Sequence, residues 1–384
     1  MQSFHQRHFR GNSRSHERGM TLIELLIAML IGLFLLGGVI SIFVSNQQNY
    51  RTNENLSRVQ ESARFAIEQL GREIRDAGFN PCGVRTVNNV IFQTTTAPNG
   101  FPWWANWNQG TIVGYDGTAT ISGFNAQAFG TTSNKRVLGT DAITILRSSM
   151  DEGNLYVVQS HNTATSAITL DRSPSRMADG EAALLCDNNS AAIFHLTSTP
   201  SGNDIDYSGT TDFNCSQQLG WTASVNCNTS STFKQFAQGS FLTGFDPAFW
   251  YVGISDTGQG TSLYRSRLVV ITASGITRPT MQRQEMVPGV TDMQIEYLTR
   301  QTIPVEGTSA AVITLNNDWI TASDASLSTA SGGWTPTNIN QVVAVRVTLT
   351  LSSKESVGIS ADETNTQVIQ RTVVAVFSLR NREL

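Results

Sequence analysis

Gly19, Met20 and Glu24 bracket the start of an uncharged run that continues from Leu25 to Val44. A carboxylate placed in hydrocarbon costs about 2.5–3.5 kcal/mol on insertion scales, so Glu24 calls for a partner. If the chain is cut after Gly19, the α-amino group of Met20 lies one helical turn from Glu24. It then supplies a positive charge in the same apolar slab. The chemistry of this spacing is the pairing of an amine with a carboxylate away from water.

The element that must position these groups is a helix. An apolar run of about 20 residues, at about 1.5 Å rise each, spans a bilayer core of about 30 Å. From Asn46 the polarity changes while helical spacing persists. Leu56, Val59, Ala63, Ile67, Leu70, Ile74 and Ala77 recur every three or four residues and form one apolar stripe. Glu54 with Arg58 and Glu68 with Arg72 are i,i+4 pairs in the favoured order. No proline occurs between Met20 and Asn80, and Gly78 followed by Pro81 is a stop signal. The pattern predicts one helix over residues 20–77, about 87 Å long. Residues 20–44 are expected as its membrane-spanning half, and the second half is expected to carry a head. The stripe is expected to pack against that head.

Charge sets the orientation. Residues 1–19 hold Arg7, Arg10, Arg14 and Arg18 against Glu17, a net +3; the whole chain is −4, so the remainder is −7. Basic residues ahead of an apolar run keep the leader cytoplasmic and send the rest outward. The acidic exterior argues against a nonspecific nucleic-acid binder. Three of the five histidines lie in the leader, which leaves little for a His-rich metal site. No cofactor or metal is expected.

Residues 78–384 read as an exported β-rich head. Strand-like runs are Thr86–Gln93, Ala142–Arg147, Asn154–Gln159, Ala167–Leu170, Ala191–Leu196, Ser262–Ile271, Met293–Tyr297, Val342–Leu351 and Thr366–Leu379. The segments between them are rich in Gly, Ser, Asn, Asp and Pro. No strand–helix alternation repeats, so the expected class is α+β: a long N-terminal helix packed on an antiparallel sheet. Segments near 94–135, 199–256 and 301–340 exceed ordinary loops and are expected as insertions. Trp103, Trp104 and Trp107 in the first of them are candidate interface aromatics, with the core of the insertion as the plainer alternative.

The four cysteines, Cys82, Cys186, Cys215 and Cys227, all follow the apolar run. In an exported head they are expected as disulfides. Of three pairings, Cys82 with Cys186 and Cys215 with Cys227 is preferred: the second closes a short loop, and the first pins the end of the long helix to the sheet. No Cys-x-x-Cys spacing supports zinc.

The stretch Gly19-Met20-Thr21-Leu22-Ile23-Glu24-Leu25-Leu26 closely resembles the processing motif of type IV pilins and type II secretion pseudopilins. The resemblance implies that a prepilin peptidase cuts between Gly19 and Met20 and that the Met20 amine is N-methylated. It also implies that Glu24 meets the terminus of a neighbouring subunit during assembly. Met20 stands where the family more often has phenylalanine, and Ser41 stands where many pilins have a kinking proline. Leu184-Leu185-Cys186-Asp187 with Ala192 to Thr197, Val287 to Tyr297, and Val343 to Leu351 with Phe377 to Arg382 resemble PilW-type minor pilins. For that family the implied role is a low-copy subunit that helps initiate type IV pilus assembly and stays in the tip complex. Its partners would be other minor pilins, the major pilin, prepilin peptidase, the inner-membrane assembly platform and a tip adhesin. The head would be periplasmic before assembly and at the cell surface afterwards.

The nearest alternative is the equivalent minor pseudopilin of type II secretion, whose heads are generally shorter. A membrane-anchored exported enzyme is a different class. No Gly-x-Ser-x-Gly, His-Glu-x-x-His or phosphate-binding loop supports it, and His161 and His195 stand alone in the sequence. A surface-binding head using the tryptophans would add to the pilin role.

Overall fold

A computed structural model describes residues 19–91, 102–107, 110–121, 126–208, 214, 216–220, 233–273, 276–304, 311–327, 334, 342–353 and 368–380. Residues 1–18 of the leader therefore lie outside the described residues, as do Cys215 and Cys227.

One helix, α1, runs from Leu22 to Arg75, 54 residues or about 81 Å. It is two residues shorter at each end than the spacing predicts. At the front, Thr21 adopts an extended conformation as N-cap. At the back, Asp76 caps the last turn, and Gly78 takes a positive φ of 78° that turns the chain toward the head. Arg58 meets Glu54 at 2.6 Å, whereas Arg72 does not pair with Glu68 and faces a cavity beside the head.

Among the described residues the head has three sheets rather than one. A four-stranded sheet runs in the order Ala311–Leu315, Val290–Pro304, Val342–Ser352, Gln370–Ser378. A five-stranded sheet runs Ile276–Pro288, Thr261–Ala273, Ala248–Ile254, Ala142–Ile145, Ile112–Tyr115. A seven-stranded sheet runs Val87–Asn89, Ala191–His195, Ala182–Cys186, Phe241–Gly244, Leu155–Asn162, Ala167–Leu170, Asp204–Asp206. Among these strands pairing is antiparallel except between Val87–Asn89 and Ala191–His195.

Side-chain alternation sorts these strands into layers. Val59, Ala63, Ala66, Leu70 and Ile74 of α1 share a core with Ile143, Ile145, Trp250 and Val252 on one face of the five-stranded sheet, and with Ile295, Val345 and Leu349 of the four-stranded sheet. Ala142, Phe249 and Tyr251 point the other way, toward Leu184, Cys186 and Ile193. Ala183, Leu185, Ala192 and Phe194 then form a third core on the far face of the seven-stranded sheet. The run Phe249-Trp250-Tyr251-Val252 thus serves two cores at once. Residues 199–256, expected as an insertion, contain this middle strand together with Phe241–Gly244, and Ile112–Tyr115 falls within 94–135. Strands buried on both faces show no alternation of polarity, which hides them in the sequence.

Where α1 crosses the four-stranded sheet, Gly71 lies directly on the Phe377 ring, and a Cβ at this position would collide with it. Glycine sets the separation of helix and strand here.

Candidate functional site

The first turn of α1 closes a reciprocal cap. The Thr21 backbone N–H donates to Glu24 Oε2 at 3.0 Å and its hydroxyl to the same oxygen at 3.1 Å, while the Glu24 N–H donates to Thr21 Oγ1 at 3.4 Å. A helix begins with N–H groups that have no intrahelical acceptor, and in an apolar medium each is costly to leave unmade. Thr21 and Glu24 satisfy two of them and place a negative charge at the positive end of the helix dipole. From the sequence, the expected partner of Glu24 is an amine. The structure gives it a local partner as well, and Thr-x-x-Glu before an apolar run was the signal for it.

Gly19 and Met20 are exposed just ahead of this cap. From Leu22 to Val44 every large apolar side chain stands exposed, and this end of α1 is long and apolar enough to cross a membrane. An apolar surface of this extent marks a membrane or subunit contact.

At the opposite end of α1 a second carboxylate is handled differently. Glu73 is buried and accepts from Arg147 Nη2 at 3.1 Å, from Arg265 Nε at 2.8 Å and from the indole N–H of Trp250. Asp246 holds Arg147 from the other side at 2.7 Å. Charge-assisted bonds from two guanidiniums to one carboxylate fix both position and orientation, so the head is locked to the helix. Sequence reasoning missed this clamp. Its one local sign is an acid three residues after Leu70, on the apolar face.

Of the cysteines, Cys82 and Cys186 are joined with Cα atoms 6.0 Å apart, across 104 residues. The bridge ties the segment after α1 to the strand Ala182–Cys186. Trp104 and Trp107 are buried in the core between the five- and seven-stranded sheets, which removes them from the exposed surface. Trp103, partly exposed, sits edge-on to Phe249 at 5.1 Å. This is the core of the segment, the plainer of the two expectations.

His161 and His195 are core residues too. The Phe236 N–H donates to His161 Nδ1 at 3.0 Å, which leaves Nε2 to donate to the Tyr207 hydroxyl at 2.6 Å. Burial pushes both imidazoles down to about 4. Among the described residues no group of His, Cys, Asp and Glu is arranged to hold a metal ion.

Comparison with known families gives two matches. Residues 249–383 match the family described as Type IV Pilus-assembly protein W, and residues 14–40 match the prokaryotic N-terminal methylation motif. The first covers strands of the five- and four-stranded sheets against which α1 packs; the second covers the cap and most of the exposed apolar half of α1. No curated protein and no solved structure matches the chain.

Proposed function

We propose, from the premise that this chain is a PilW-type pilin of the type IV pilus, that it acts as a low-copy minor pilin which helps start the fibre and remains in its tip complex. A prepilin peptidase cuts between Gly19 and Met20, the Met20 amine is N-methylated, and α1 passes from the bilayer into a bundle of like helices. Residues 20–44 form the part that enters the bundle and 78–384 the head, which is periplasmic until assembly. Other minor pilins, the major pilin, the assembly platform and a tip adhesin are the partners of this cycle.

The observation that carries this assignment is the pairing of a fully exposed apolar half-helix with a head clamped to the other half. Moving the helix moves the head, as a subunit extracted from lipid into a filament requires. Glu24 then exchanges or shares its Thr21 bonds with the amine of a neighbour. A bulky three-sheet head would crowd a lattice repeated along a thin fibre but has room at its end. The match to the pilus-assembly family supports a structural rather than an enzymatic role. The match to the pilus-assembly family supports the pilus over type II secretion.

The test is assembly of two variants in cells that make the pilus. Gly19→Ala should leave the leader in place and keep the chain out of sheared fibres. Glu24→Ala should be cut normally yet incorporated poorly. Wild-type recovery of both variants in fibres would overturn the assignment.

A further inference from the structure

Sheet edges invite pairing with other chains, and proteins usually blunt them with short strands, charges or proline. Most edges of this head are blunted in that way. Asp204–Asp206 and Val87–Asn89 have 3 residues each, Ile112–Tyr115 has 4 and Ala311–Leu315 has 5. The edge strand Ile276–Pro288 contains Pro279, Arg278 and Arg283.

The edge strand Gln370–Ser378 is different. It has 9 residues, and Thr372 to Ser378 contains neither charge nor proline. The Leu379 N–H donates to Val343 O and the Ser353 N–H to Ile369 O, so the odd-numbered residues bond inward to Val342–Ser352. The amides of Thr372, Val374, Val376 and Ser378 consequently face outward, and among the described residues no strand pairs with them. Val374 and Val376 are 57% and 56% exposed on the sheet face turned away from the core.

At the C-terminal end of this edge lies a cavity of about 660 Å³ lined by Arg72, Arg75, Arg147 and Arg380, with Asp76, Asp151 and Asp246. The cavity adjoins the strand: Arg75 lies over the Phe377 ring at 5.4 Å, and the Arg380 N–H donates to Arg75 O at 3.4 Å. Arg147 is answered by Glu73, Asp76 and Asp246, and Asp151 by Arg176. Arg72, Arg75 and Arg380 have no carboxylate partner among the described residues.

We infer that the edge Gln370–Ser378 accepts an extended segment of a neighbouring pilin subunit by strand addition, and that a carboxylate at one end of that segment docks among Arg72, Arg75 and Arg380. Main-chain bonds supply the pairing, and the arginines fix its register and direction. The occupant is a different chain. Val368 to Arg380 contains Arg371 and Arg380 and no acid, so antiparallel pairing of two copies would bring arginines together unanswered. The inference rests on the proposed function only in taking the neighbour to be a pilin.

Hydrogen exchange of the full chain tests it, comparing chain extracted in detergent with its co-assembled subunits against the same chain expressed alone. The amides of Thr372, Val374 and Val376 should exchange about tenfold or more slower in the assembly, as amides entering a ladder do. The double variant Val374→Lys, Val376→Lys and, separately, Arg380→Glu should remain folded and abolish that slowing. Co-extracted pilins with fast amides at all three positions would overturn the inference and leave the proposed function standing. Slow amides in the chain alone would mean that it covers its own edge, and would also overturn it. If no pilin is co-extracted and the amides stay fast, both fail.

Discussion

The two ends of α1 each carry one acid in apolar surroundings, and the two are handled in opposite ways. Glu73 finds Arg147, Arg265 and Trp250 within its own chain, from segments far away in sequence. Among the described residues Glu24 finds Thr21 alone, three residues away, and every large apolar side chain around it is uncovered. A buried acid whose partners are all internal is a fastener. One with only a local cap, on a bare apolar rod, is set up for partners in another molecule. The glycines follow the same division. Gly71 is fitted to Phe377, whereas nothing lies within 4 Å of a Cβ at Gly32, Gly37 or Gly38.

The contrast is broken most severely at Glu73. Glu73→Ala removes the more buried of the two carboxylates that Arg147 and Arg265 share, the other being Asp246, and should cost about 3–5 kcal/mol of head stability, read by urea denaturation. Glu24→Ala should change the same curve by about 1 kcal/mol or less, the scale of a lost helix cap. Equal losses would erase the distinction.

Reduction or Cys82→Ser with Cys186→Ser should cost about 2–5 kcal/mol, because the bridge closes a long loop at the head end of α1. Gly71→Ala should cost about 1–3 kcal/mol by forcing Phe377 aside. Gly37→Ala should leave the melting temperature of the isolated subunit unchanged.

The last effect is one of pH. His161 is held neutral in the fold, pushed down to about 4 against an ordinary value near 6.5. The unfolded chain therefore binds more protons between pH 6.5 and 4, and head stability should fall as pH drops through that window. Asp141, pushed up to about 6 by its own burial, acts in the opposite sense: its contribution falls as pH rises toward 6. The His161 contribution is thus read by difference. The stability of His161→Gln should fall less steeply with acid than that of the parent, and identical slopes would remove His161 from the account.

Much of α1 was legible because its determinants are local: no proline, a stripe every three or four residues, and a glycine stop. Strands with β-branched runs, such as Ala167–Leu170 and Val342–Ser352, were legible for the same reason. Ala182–Cys186 and Ala248–Ile254 were not, since strands buried on both faces carry no polar alternation. The clamp was hidden by distance, with Arg147 and Arg265 lying 74 and 192 residues from Glu73. Thr21 was hidden differently: its spacing to Glu24 is a capping signal, but the cost of an acid in hydrocarbon points first to an amine.

The central claim is that the exposed end of α1 is trimmed and modified so that Glu24 can meet an amine in a neighbouring subunit. The mass of the intact chain recovered from native pili tests it most directly. The account predicts a polypeptide beginning at Met20 with one methyl group on its amine. A chain still carrying residues 1–19, in fibres whose other subunits are trimmed, would contradict it.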